Sequence, residues 1–340
     1  MAITSTGFQS PATSREGLKP SVHDAVIQIG ATETPISSKI GKSKAKGIEH
    51  SWIIDPIADP TRNPQLEVSD FAGASKSTKQ KKTNAVEIVT TDIMVSRDMM
   101  EVATYGGNEM AYEVAKKAKE HALKLEYMKY GLGRDADARV SVFEAPVIRT
   151  EVAAGEMAGL FYFLAKGDAT FSTTASGIAT GRKGNVFTFD SGGAAEGTWA
   201  NDSAATAFSE DKMNTVLQSI YDAGETVKDI YVGAGLKKAF NGLVSRQLGN
   251  EKMSTRNVVS LETDFGTINI RLSRFLSDKY GLGDTFIAGN FDYMKDAPLV
   301  ETYLDDVPTS KTAKAKRYYT SCTMEVRNAD AFAIGVGLTA

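Results

Sequence analysis

The residues able to do covalent or metal chemistry are few and far apart. Cys322 is the only cysteine, and the three histidines are His23, His50 and His121. None recurs at the short spacing by which one loop or helix turn presents several ligands to a metal ion. A lone cysteine cannot close an intrachain disulfide, and Cys322 falls in a strand-like run, where a thiol packs as a small apolar group. Carboxylates pair at Asp135 with Asp137 and at Asp305 with Asp306, but no histidine stands near either pair, so both read as solvated loop charges. The chain lacks a glycine-rich phosphate loop ending in Lys-Ser/Thr, a Gly-x-Ser-x-Gly elbow, a His-Glu-x-x-His helix and a Cys-x-x-Cys pair. Gly131-Leu132-Gly133 and Ser191-Gly192-Gly193 are too short to be nucleotide fingerprints. The expectation is a protein with no catalytic residues, no cofactor and no metal.

With 39 Lys plus Arg against 42 Asp plus Glu, the net charge of −3 gives no global reason for tight nucleic-acid or membrane binding. Any contact with DNA would be local. The basic clusters Lys76, Lys79, Lys81, Lys82 and Lys311, Lys314, Lys316, Arg317 could meet an acidic neighbour, or simply be solvated. The longest dense apolar run, Ala158 to Ala165, falls far short of the roughly 20 residues of a membrane helix. The first residues lack the apolar stretch of a signal peptide, so the reading is a soluble protein assembled inside a cell.

What must position these residues is a chain of mixed elements. Residues 1–46 read as a polar arm, in which Thr34-Pro35-Ile36 is expected to break any helix. Ile48, His50, Trp52 and Ile54 then alternate with polar residues as a half-buried strand, off-pattern only at Ile53, and Ala85 to Val95 is β-branched and strand-like. Between them, Pro56, Pro60, Pro64, Gly73 and the lysine cluster offer no core of their own; so long a loop is rare unless it works elsewhere, and it reads as a projecting hairpin. Asn108 to Tyr130 has an N-cap, Glu109 at the positive end and Gly131 as a stop, predicting a helix of about 34 Å. Its apolar stripe is read as Ala111, Val114, Ala115, Ala118, Ala122, Leu125 and Met128, with lysines opposite. Ala153 to Ala165 reads as a buried helix, about 167–207 as a Gly/Ser/Thr-rich insertion, and Ser209 as the cap of a helix closed by Gly224. A strand at Asp229 to Val232, a helix from Leu236, a hairpin around Asp264-Phe265-Gly266 and shorter strands follow. The last two strands, Lys316 to Arg327 and Phe332 to Val336, are expected to pair with each other. The class is α+β.

This order of parts resembles the Hong Kong 97-like (Johnson) capsid fold of tailed-bacteriophage major capsid proteins over nearly the whole chain. Local likenesses are Thr32-Glu33-Thr34-Pro35-Ile36 leading through Gly41-Lys42 to the Trp52 strand, the alanine-rich Ala111 to Tyr127, and Asp264-Phe265-Gly266 followed by Arg274-Phe275-Leu276. The resemblance implies an N-arm at 1–46, an E-loop with flanking strands at 47–96, the P-domain spine helix at 97–139, an A-domain at 140–300 and C-terminal P-domain strands at 301–340. It implies pentamers and hexamers of one chain closing into an icosahedral shell around double-stranded DNA in a virion, assembled in the host cytoplasm. Each E-loop would lie over a neighbour's P-domain, through Trp52, Ile54, Lys76, Lys79, Lys81, Lys82, Val86 and Ile88, while Ala111, Ala115, Ala118, Ala122 and Leu125 line the spine. Partners would be other copies of the chain, scaffold, decoration and portal proteins, and sequence-independent DNA on the inner face, with no membrane. Because the arm begins near Met1, without a long segment to be removed, a separate scaffold or none is expected. Two rivals stand beside this: an encapsulin-like nanocompartment shell of the same fold, and a cytosolic α+β enzyme with a dispersed site.

Overall fold

The structure, a computed structural model, describes residues 28, 33–58, 60–62, 64–67, 78–102, 107–166, 182–189, 199, 205–247 and 259–340. His23, Lys76, Ser191-Gly192-Gly193, most of the arm and most of the Gly/Ser/Thr-rich insertion lie outside them.

Pro35 does not break a helix; it starts one. α1 (Pro35–Lys39) carries Pro35 in its first turn, where the missing N–H costs nothing and the fixed φ already suits a helix. β1 (Gly41–Lys42) follows, then the antiparallel pair β2 (Glu49–Ile54) and β3 (Gln80–Ala85), with Trp52 opposite Lys82. β4 (Glu87–Ser96) and the short α2 (Arg97–Glu101) lead to α3 (Glu109–Lys129). Asn108 caps α3 by accepting the Ala111 N–H, and Gly131, at φ +84°, ends it. α4 (Ala138–Ser141) and α5 (Leu160–Leu164) come next.

The helix expected over Ala153 to Ala165 is only α5, and the reason is steric. A Cβ on Gly159 would sit 2.3 Å from the Gly131 nitrogen, and one on Gly155 would sit 2.8 Å from the Val86 carbonyl oxygen. These glycines let backbone touch backbone where a helix would need room.

Beyond come β5 (Arg182–Lys183), β6 (Val186–Thr188), β7 (Thr206–Ala207), α6 (Glu210–Asp222), β8 (Asp229–Val232) and α7 (Ala234–Gln247). The chain ends with β9 (Ser260–Thr263), β10 (Gly266–Leu272), β11 (Phe286–Gly289), β12 (Met294–Val307), β13 (Ala313–Val326), β14 (Phe332–Val336) and β15 (Leu338–Thr339).

Two principal sheets result. One has the order β1-β12-β13-β4, with α3 on one face; the other has the order β5-β6-β14-β11-β8-β10-β9. The expected pairing of the last two strands is wrong: β13 lies between β12 and β4, whereas β14 lies between β11 and β6 in the other sheet. The region 301–340 is therefore split between the sheets, and β12 enters the four-stranded one already at Met294. β14 is buried at every position, so it needs neighbours on both edges and cover on both faces, which the seven-stranded sheet provides. A main core containing Trp52, Phe161, Trp199, Tyr231, Met324 and Phe332 spans both sheets, and a second core packs α6 against the seven-stranded sheet through Met213, Val216, Leu217 and Ile220.

The buried side of α3 is shifted from the expected stripe, of which Val114, Ala118, Leu125 and Met128 are half-buried. Ala111, Ala115 and Ala122 are exposed, while Met110, His121, Glu126 and Lys129 are buried. Met110 packs with Ile93, Val95, Val114 and Tyr318. An alanine methyl gains little by leaving water, so larger side chains choose the face, and polar ones can join them once paired.

Candidate functional site

Among the described residues no three of His, Cys, Asp and Glu gather as a metal site would require. The carboxylate pairs do structural work: Asp135 accepts the Asp137 N–H at 2.8 Å, Asp137 caps α4 by accepting the Arg139 N–H at 2.9 Å, and Asp306 pairs with Lys316 at 3.1 Å. An open depression of about 670 Å³ beside Tyr127, Asp135, Asp137, Lys279 and Tyr280 brings together no nucleophile and base. Cys322 is 3% exposed, and burial pushes its thiol up to about 12. Burial likewise raises the carboxyls of Glu87, which accepts the Met157 N–H, and of Asp284, which accepts the Trp199 indole N–H at 2.8 Å.

His121 is buried between α3 and the four-stranded sheet, its Nδ1 at 3.0 Å from Thr91 Oγ1 and its Nε2 at 2.7 Å from Thr320 Oγ1. Burial, and then the nearby Lys124, push its pKa below the usual 6.5. It is a packing residue that ties helix to sheet.

What remains is exposed apolar and basic surface. The residues expected to reach a neighbour divide in two. Trp52 is 8% exposed, donates its indole N–H to the Val326 carbonyl at 2.9 Å and faces Phe163 at 5.5 Å between ring centres. Val86 is fully buried with Ala45 and Ala297, and Ile54 packs half-buried on the main core. Trp52 and Val86 therefore lie in the chain's own interior and Ile54 half within it, because the base of the ribbon lies on the body and finds apolar cover there. Ile88 is 39% exposed, Lys79 and Lys81 are exposed, and Lys82 is half-buried.

Beyond the base the ribbon is open. Every described residue from Asp55 to Lys79 is exposed, with Ile53 at 70%, Leu66 at 82% and Ile57 at 97%. Of these three apolar residues, only Ile53 stands out in the sequence. Ile53 had a signal, an isoleucine on the polar side of an alternating strand; Ile57 and Leu66 were hidden among prolines. A second open surface is the sheet face away from α3, where Ile88, Met94, Val300 and Tyr303 are each more than a third exposed. The alternating burial of β4 gives α3 one face and leaves this one bare, and Asp92 is held there by Arg317. Past its two-residue pairing with β1, the Glu301 to Asp306 stretch of β12 is exposed and, among the described residues, has only β13 as a strand neighbour.

Comparison with solved structures defines the class first. The capsid of a native GTA particle superposes with a TM-score of 0.62 at 10% identity, over 98% of this chain and 99% of that one. The capsid of cyanophage A-1(L) gives 0.61 at 11% identity, over 98% and 100%. The holo-SrpI encapsulin complex from Synechococcus elongatus PCC 7942 gives 0.55 at 7% identity, over 98% and 96%. The fold is the α+β fold of Hong Kong 97-like capsids. Residues 2–339 match the family model of the SU10 major capsid protein, and the chain belongs to that family. No curated protein matches it. It is a capsid structural protein assembled from copies of itself in the virion, and its family is not an enzyme family.

Proposed function

We propose that the chain forms pentamers and hexamers that close into an icosahedral shell around double-stranded DNA, each ribbon lying over the P-domain of the next subunit. The observation that carries this is the ribbon itself: Ile53, Ile57 and Leu66 stand in water, and none of its described residues from Asp55 to Lys79 is buried. The exposed face of the four-stranded sheet offers them apolar cover, and Glu301 and Asp305 offer charge to Lys79, Lys81 and Lys82. The gain per contact is modest; many arms engaged at once stabilise the closed shell. The spine helix stays rigid while arm and ribbon absorb the differences between positions. DNA would meet the inner face through phosphates, independent of sequence and weakened by salt. Assembly would take place in the host cytoplasm, with scaffold, decoration and portal proteins as further partners.

Negative-stain microscopy of the expressed chain, alone and with its neighbouring gene products, tests this reading. Closed shells of uniform diameter that fill with DNA are the expected result. Shells that enclose a protein cargo instead would favour the nanocompartment reading, and a chain that stays monomeric under every condition would overturn both.

A further inference from the structure

The two sheets are joined by a pair of turns lying side by side. β11 reaches β12 through the 3-10 turn Phe291–Tyr293, and β13 reaches β14 through Ala329–Ala331. The turns bond to each other: the Asn290 N–H donates to the Ala331 carbonyl at 3.1 Å, and the Arg327 N–H to the Tyr293 carbonyl at 3.0 Å. Short element-terminal turns of this kind are where a fold absorbs changes of angle.

A separate segment bridges the same junction. α1 has only five residues, too few to persist alone, and its N-cap Thr34 makes no side-chain capping bond. The cap comes from elsewhere. Glu126 of α3, with no exposed surface, accepts the Ile36 N–H at 2.7 Å, the Ser37 N–H at 2.8 Å and the Ser37 hydroxyl. One turn on, Lys129 Nζ donates to Ser37 Oγ at 2.8 Å and reaches Asp296 of β12 at 3.3 Å. These bonds tie α1 to the four-stranded sheet and its helix. To the other sheet, Lys39 pairs with Asp229 of β8 at 3.2 Å, and the Tyr231 hydroxyl donates to the Pro35 carbonyl at 3.3 Å.

We propose that Glu33 to Ala45 is a latch across the junction of the two sheets, that Glu126 is its bolt, and that the paired 3-10 turns are the joint it holds. A buried carboxylate stripped of its donors is costly, so the bolt is either engaged or hydrated, with little between. Latched, the sheets keep one angle; released, they are held only by the core they share around Phe291 and Phe332, and the joint can shift as far as that core repacks. The consequence for assembly rests on the shell reading above, since unequal positions in a shell demand unequal angles. The latch itself does not rest on it.

Hydrogen exchange and shell diameter, measured on the full chain, separate the two. Glu126→Gln replaces one acceptor oxygen with an NH2 that cannot accept an amide N–H. Exchange protection over residues 34–45 should fall by about tenfold, the scale of one charge-assisted bond, while β8 and β13 keep theirs. Shell diameters should broaden. Thr34→Asp added to Glu126→Gln gives α1 a cap of its own. It should recover protection in α1 and leave the diameters broad. Unchanged protection over 34–45 in Glu126→Gln, or wild-type diameters in the double variant, overturns the latch. So does loss of protection in every element in both Glu126→Gln and Lys129→Met, which would make the segment ordinary core. If the wild type forms no shell, the shell reading fails and the exchange data still decide the latch.

Discussion

At the scale of single residues, the reactive side chains are spent on structure. Cys322 is buried with its thiol pushed up to about 12, so thiolate is scarce and access is closed. The folded protein should not react with a disulfide-exchange reagent near pH 8, and one equivalent should react once denaturant unfolds it; rapid labelling of the native chain would refute this burial. His121 gives a pH signature. Burial and Lys124 hold its pKa below 6.5 in the fold, so between the two values the unfolded chain binds more protons. Its contribution is complete above pH 6.5 and is lost as pH falls through the folded value. Thermal melts should therefore drop on acidification through this window in the wild type, and less steeply in His121→Gln, which keeps hydrogen-bonding groups for Thr91 and Thr320 but cannot titrate.

At the scale of elements, the correction at Trp52 makes the sharpest prediction. A tryptophan waiting for a neighbour would cost an isolated chain little when removed. A tryptophan bonded to Val326 and packed on Phe163 belongs to the monomer, so Trp52→Ala should destabilise the unassembled chain by about 3 to 5 kcal/mol in urea. The same contrast explains what could be read in advance. The spine helix was legible from Asn108 and Gly131 because caps are local chemistry, and the ribbon strands from alternation at His50, Trp52 and Ile54. The partner of each strand was not, since β13 and β14 are both rich in apolar and β-branched residues, and nothing local says that a short turn at Ala329–Ala331 sends them into different sheets. The buried face of α3 was legible only in part because Glu126 and Lys129 look like solvent-facing charges until Ser37 and Asp296 arrive from 92 and 167 residues away. The mutual contact of Gly131 and Gly159 was equally silent.

At the scale of the whole molecule, the fold has separated two tasks along one ribbon. Its base, with Trp52 and Ile54, packs on the chain's own body, while Ile53, Ile57 and Leu66 stand in water, free on the proposed reading to meet another copy. The two tasks can be told apart by substitution. Ile57→Asp with Leu66→Asp removes exposed apolar groups that touch nothing in the chain's own core, so unfolding free energy should stay within about 0.5 kcal/mol of wild type. Assembly should fail nonetheless, because every ribbon in the shell loses its apolar anchors at once and small losses multiply over many contacts. Sedimentation paired with urea melts reads both quantities on the same preparation. A variant that still closes shells in normal yield would mean that Ile57 and Leu66 are mere loop residues, and the contact between subunits would then have to be sought on the bare face carrying Ile88, Met94 and Tyr303.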